Sequence, residues 1–175
     1  MKIQNIVLSG LLGLAFFSGM AAADGGGHKE ILPDETIIGI SLACTLLTYF
    51  TVAKISGFSL DNVEKITAAL IMFTIVVHAI LGIDDLKLLA GAAGYLAFGV
   101  AFYVMEIPFV EKNRTIFSYL LIIYTLAIVV FYLYLHPDLT KNGSYDSVGI
   151  LTKISEIGII VLTAKKLNYI FQRSI

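Results

Sequence analysis

The sequence predicts an all-α polytopic transmembrane helix bundle, about five spans after a cleavable signal peptide, with four spans as the fallback. Three observations lead there. Hydrophobic residues make up 58% of the chain and charged residues only 14%, with a mean hydropathy of +0.88. A soluble domain is about 25% charged, and one of this length could not bury so much apolar surface. The apolar residues fall into separate runs that approach the roughly 17–25 residues a helix needs to cross a bilayer. Positive charges collect on alternate connections between those runs.

The elements follow in order. Met1–Ala23 has the form of a secretory signal, with Lys2 as the positive start, Ile6–Phe17 as the apolar stretch and Ala21, Ala22 and Ala23 as small residues for cleavage. The alternative is an uncleaved first membrane helix. Residues 24–35 read as a flexible extracytoplasmic N-terminus, with His28 as a solvated tail histidine. The bundle is expected over 36–164. Its first run, Thr36–Ala53, ends at Lys54 and holds the single cysteine, Cys44, which can form no internal disulfide. The second, Ile66–Ile83, follows Asp61 and Glu64, spaced as an N-cap and its reciprocal acid. Asp84-Asp85-Leu86-Lys87 is short enough to join two antiparallel helices. The third run, Leu88–Met105, cannot continue through Pro108. The fourth, Thr115–Leu135, stops at His136-Pro137. The fifth, Val148–Ala164, is capped by Asp146 or Ser147 and carries Lys153 and Glu156. Discounting that last run gives the four-span fallback. Residues 165–175 form a basic tail.

Charge orients the bundle. With five spans, Lys54, Lys65, Lys112, Arg114, Lys165, Lys166 and Arg173 fall on one side, against Lys29, Lys87 and Lys141 on the other. Positive residues stay cytoplasmic, so the expected location is the cell membrane, mature N-terminus outside and C-terminus cytoplasmic. The outer face is then acidic, with Asp84, Asp85, Asp138 and Asp146 on its connections.

Helical rotation places polar side chains on faces. Thr67, Thr74 and His78 share one face of the second span, and Gly149, Thr152, Lys153, Glu156 and Thr163 one face of the fifth. Such stripes avoid lipid and face protein, and an ionisable residue at membrane depth marks a functional site by default. If those two helices are neighbours, His78, Lys153 and Glu156 gather in the outer half of the bilayer, below Asp84, Asp85 and His136. The structural alternative is that Lys153 and Glu156, three apart, satisfy each other as an intramembrane polar pair, with Lys153 snorkelling outward. His78, Asp84, Asp85, His136 and Glu156 are candidate metal ligands for zinc or copper, although no metal-ligand spacing occurs and the cofactor stays unknown. On the third span, Ala90, Ala93, Gly94, Ala97 and Ala101 form a stripe of small residues, suited to close helix packing within the chain or against another subunit.

The net charge of −1 supplies no basic face for nucleic acid. The sequence contains no phosphate loop, nucleophile elbow, HExxH or CxxC, so no enzyme activity is expected. The segment His78-Ala-Ile-Leu-Gly82, continuing into Leu88-Leu-Ala-Gly-Ala-Ala-Gly-Tyr-Leu96, with Asn113-Arg114 before an aromatic-rich span, resembles small multi-span archaeal membrane proteins of unknown function across Ile66–Ala164. The signal and acidic outer face also resemble small accessory subunits of archaeal ammonia monooxygenase, a copper membrane enzyme. That resemblance implies a scaffolding subunit and transfers no site residue. Two functions are therefore expected as alternatives. One is a non-enzymatic accessory or structural subunit of a larger membrane complex, with the lipid bilayer and membrane-protein subunits as partners. The other is a small ion-, proton- or metal-handling membrane protein using His78, Lys153 and Glu156.

Overall fold

The computed structural model describes residues 32–56, 59–136, 140–141 and 144–173. The expected signal peptide, Met1–Ala23, lies outside them, as do His28 and Asp138. The chain runs α1 (Asp34–Ser56), α2 (Asn62–Leu81), α3 (Leu86–Tyr103), α4 (Pro108–Lys112), α5 (Arg114–Leu135), β1 (Thr140–Lys141), β2 (Ser144–Tyr145) and α6 (Ser147–Arg173). Five of these helices, all but α4, are long and apolar enough to cross a membrane, including the last, which the four-span alternative would drop.

The helix ends follow local chemistry. Asp61 accepts the Glu64 N–H at 2.9 Å, and the Glu64 carboxylate accepts the Asp61 N–H at 3.0 Å, a complete capping box for α2. Asp85 caps α3 through the Lys87 N–H. The Pro108 ring ends no helix directly: α3 has already stopped at Tyr103, and Pro108 opens α4 as its first residue, where its missing N–H costs nothing. Asp146 accepts the Gly149 N–H at 2.8 Å at the start of α6. The basic tail is not a separate segment, because α6 continues as helix through Lys165 and Lys166 to Arg173. The two-residue ladder of β1 and β2, pairing Thr140 with Tyr145 and Lys141 with Ser144, lies in the connection before α6 and has no counterpart in the expected elements.

α2 is the central helix. It packs on α1, α3 and α6, and α6 packs in turn on α5. Half of α2's apolar window is buried, against 17% for α1. Ile71, Tyr95, Phe98, Leu121 and Ile159 belong to one contiguous core. The outward residues are equally apolar: Leu47, Phe50, Ile123, Val130, Ile154 and Val161 are all exposed. A bundle apolar on both its inside and its outside fits lipid rather than water as its solvent. Two ends can be distinguished. The basic end carries the α1–α2 connection, α4 and the C-terminal part of α6. The hairpin end carries the α2–α3 turn and the β1–β2 ladder.

Candidate functional site

The two polar stripes meet. α2 and α6 are in contact, and this brings His78 Nε2 to 3.8 Å from Glu156 Oε1. Glu156 is completely buried at 0% exposure, His78 retains 5% and Lys153 9%. The Lys153 ammonium donates to Glu156 Oε2 from one turn earlier on the same helix and sits over the Tyr132 ring, 4.9 Å from its centroid. Among the described residues, none donates a hydrogen bond of regular geometry to Oε1, the other carboxylate oxygen.

His78 is oriented by its own helix. Its Nδ1 lies 2.9 Å from the Thr74 carbonyl. A carbonyl only accepts, so Nδ1 carries the proton, and Nε2 of the neutral ring is a bare acceptor. That acceptor is the atom turned towards Glu156 Oε1. Most other polar residues on the stripes are satisfied locally. Thr67, Thr74 and Thr152 return their hydroxyls to carbonyls four residues earlier, the usual way a hydroxyl is accommodated in an apolar helix. The stripes therefore carry few unmet polar groups, and Glu156 Oε1 stands out among them.

α3 and α5 supply the remaining wall. Tyr95, 0% exposed, faces Glu156 and Thr125 with its hydroxyl but forms no hydrogen bond of regular geometry. Its ring packs edge-on against Tyr124 at 5.1 Å and 6.0 Å from the His78 ring. The Tyr124 hydroxyl donates to the Gly91 carbonyl at 2.9 Å. This approach requires Gly94, because a Cβ there would occupy the position of the Tyr124 hydroxyl. Towards the hairpin end, the Tyr132 hydroxyl donates to Asp146 Oδ2 at 2.8 Å. Gly149 makes room for that pair, since its Cβ would strike both groups. A polar line thus leads from the half-buried Asp146 through Tyr132 and Lys153 to Glu156.

A second cluster occupies the basic end. Arg114 Nη2 donates to Glu64 Oε1 at 2.9 Å, and Lys166 reaches both Asp61 and Glu64. A cleft of about 20 Å³ beside it is lined by Glu64, Thr67, Tyr103, Arg114, Thr163 and Lys166, space for about one water. Burial alone would raise the Asp61 carboxyl. The Lys166 ammonium and the Glu64 N–H outweigh it and hold Asp61 below its ordinary value.

The candidate metal ligands are divided between places. His78 and Glu156 come together. Asp84 is exposed, Asp85 is occupied as the α3 cap, and His136 stacks on Tyr132 at 4.8 Å. Among the described residues, no three His, Cys, Asp or Glu side chains converge as a metal would require. The small-residue stripe on α3 is split: Gly94 and Ala101 are buried, whereas Ala90, Ala93 and Ala97 are half-buried. Tyr95, Tyr132 and Asp146 are the parts of the site that sequence reasoning did not assemble. Tyr132 lies within an apolar run, where its hydroxyl needs a partner, but Tyr95, inside a run of small and apolar residues, carries no such signal. In comparisons with known proteins, no family model, curated protein or solved structure matches this chain.

Proposed function

We propose that the chain is a multi-pass membrane protein acting as a non-enzymatic subunit of a larger membrane assembly, with the hairpin end outside and the basic end cytoplasmic. The observation that carries this reading is the divided stripe on α3. Membrane helices associate through small residues that let backbones approach. The chain uses Gly94 and Ala101 for its own packing and leaves Ala90, Ala93 and Ala97 half-covered, flanked by the exposed Leu89 and Leu96. A neighbouring helix can use the uncovered half. A copper membrane monooxygenase is the assembly that the sequence resemblance suggests. The orientation follows the excess of Lys and Arg at the basic end.

Purification of the native protein in mild detergent, followed by native mass spectrometry, tests this. A stoichiometric larger partner is expected, and Ala93→Leu with Ala97→Leu should release it while leaving the melting temperature close to wild type. A wild-type protein that is monomeric in every mild detergent removes the subunit reading.

The meeting of His78, Lys153 and Glu156 supports a second reading, a protein that handles a cation within the bundle. Of the cations available, a proton suits the site best. Among the described residues only two metal-ligating side chains converge here, where zinc takes three or four protein ligands, and the Lys153 ammonium already occupies one side of the carboxylate.

A further inference from the structure

The contact between His78 and Glu156 is short of one proton. Nε2 is a bare acceptor, because Nδ1 is committed to the Thr74 carbonyl. Glu156 Oε1 accepts no hydrogen bond of regular geometry from any described residue, the Tyr95 hydroxyl that faces the carboxylate included. Two acceptors face each other across 3.8 Å, with His78 at 5% and Glu156 at 0% exposure. A buried polar group without a partner is costly, and one added proton satisfies both atoms together.

The surroundings differ on the two sides. Towards the hairpin end, Lys153, Tyr132 and Asp146 form the polar line described above, and Asp146 is only half-buried. Towards the basic end the polar groups stop. Ile159 stands one turn from Glu156 at 0% exposure, and Ile71 and Leu121, each at 1%, belong to the same core cluster. At 1.5 Å rise per residue, this apolar layer separates Glu156 from Thr163 and the Lys166 cluster.

We infer that Glu156 and His78 form a proton-binding site inside the bundle, reached from the hairpin end through Asp146, Tyr132 and Lys153 and closed towards the basic end by Ile71, Leu121 and Ile159. A proton from water at the hairpin end adds to Glu156 Oε1. The resulting carboxylic acid donates its O–H to His78 Nε2 once the side chains close the 3.8 Å gap to hydrogen-bond length, and no other covalent bond is made or broken. Lys153 keeps its ammonium on Oε2, supported by the Tyr132 ring and by Asp146. The other ionisable groups facing the site are Tyr95 from α3 and Tyr124 from α5, while α1 has no charged residue from Thr36 to Ala53. The inference rests on the cation-handling reading and needs no partner subunit, so its failure leaves the α3 docking proposal untouched.

Infrared difference spectroscopy on the full-length protein in lipid vesicles provides the test, because a protonated carboxylic acid has a C=O stretch that a carboxylate lacks. Stepwise acidification raises bands from all thirteen Asp and Glu carboxyls, and one component should be missing when the Glu156→Gln titration is subtracted from the wild-type one. In His78→Gln, which keeps a polar side chain, its midpoint should move by roughly one pH unit or more. Acid added only at the hairpin end should raise the band, and acid at the basic end should not, until Ile159→Ser opens the apolar layer. A wild-type titration that matches that of Glu156→Gln, with no carboxylic component missing from the variant, overturns the inference. If Glu156→Gln does not fold, an unmoved midpoint in His78→Gln overturns it alone.

Discussion

The molecule holds two clusters built from the same materials, carboxylates and lysines brought together by α2 and α6, and they are completed in different ways. In the cluster at the basic end, every carboxylate oxygen of Asp61 and Glu64 has a partner. Glu64 takes Arg114 and Lys166 on one oxygen and the Asp61 N–H on the other, and Asp61 takes the Glu64 N–H and Lys166. The Asp61 side chain is 50% exposed, so water can supply whatever the protein does not. At the polar centre, Glu156 is wholly enclosed, has one oxygen paired with Lys153, and faces a histidine acceptor with the other. The difference teaches that a charge cluster at a helix end is stabilised by redundancy, whereas one inside a bundle depends on its few fixed contacts. The second kind is therefore more sensitive to any loss and is the place where function is to be sought.

The largest expected effect tests that contrast directly. Glu156→Ala should destabilise the bundle by about 3–5 kcal/mol, because it leaves Lys153 buried without its counter-ion. Glu64 is itself buried, but Arg114 and Lys166 keep 32% and 29% of their side-chain surface and can turn to water, so Glu64→Gln should cost less, about 1–2 kcal/mol. Thermal melts in one detergent compare the two. Equal costs would break the contrast, and recovery of most of the loss on adding Lys153→Met would sharpen it, since an apolar replacement of a whole buried pair is often neutral.

A middle-sized effect concerns the packing that encloses the polar centre. Gly94→Ala should cost about 1–3 kcal/mol by forcing the Tyr124 hydroxyl off the Gly91 carbonyl. Ala97→Ser, on the half-covered part of the same helix, should stay within about 0.5 kcal/mol. Unfolding titrations of both variants measure it. A neutral Gly94→Ala would mean that the α3–α5 wall yields easily.

The smallest effect belongs to the basic end and depends on pH. Asp61 is held below its ordinary carboxyl value of 3.8. A depressed carboxyl stabilises the fold above its unfolded pKa and loses that contribution as pH falls through the folded value. Asp61→Asn keeps an N-cap residue but cannot ionise. It should flatten the acid limb of the stability curve below about pH 4, by no more than about 0.5 kcal/mol, given solvent screening at this half-exposed site. A variant curve that is parallel to wild type throughout would remove Asp61 from the acid-labile contacts.

How much of this could be read in advance depends on the distance along the chain over which each interaction acts. The capping box of Asp61 and Glu64 and the pair Lys153–Glu156 span three residues each, and helical geometry alone brings such neighbours together. The same geometry grouped Thr67, Thr74 and His78 on one face. Arg114 joins Glu64 from 50 positions away, and no local pattern announces that. Tyr95 was hidden for a related reason: an aromatic residue among alanines and glycines looks the same whether its hydroxyl meets lipid headgroups or a buried carboxylate.

The sequence by itself determined five apolar helices, the caps of the second and the last of them, the charge difference between their ends and the faces on which polar residues lie. These are consequences of backbone hydrogen bonding and of the 3.6-residue turn, both of which act over a few neighbours. Only the tertiary structure decided that α2 is central, that its histidine face meets α6 at Glu156, and that an apolar layer separates the two charged clusters. Helix pairing is settled by side-chain fit between segments far apart in the chain. With apolar residues on the inward and outward faces alike, apolar burial alone selects no pairing, and that fit is set by close contacts such as Gly94 against Tyr124.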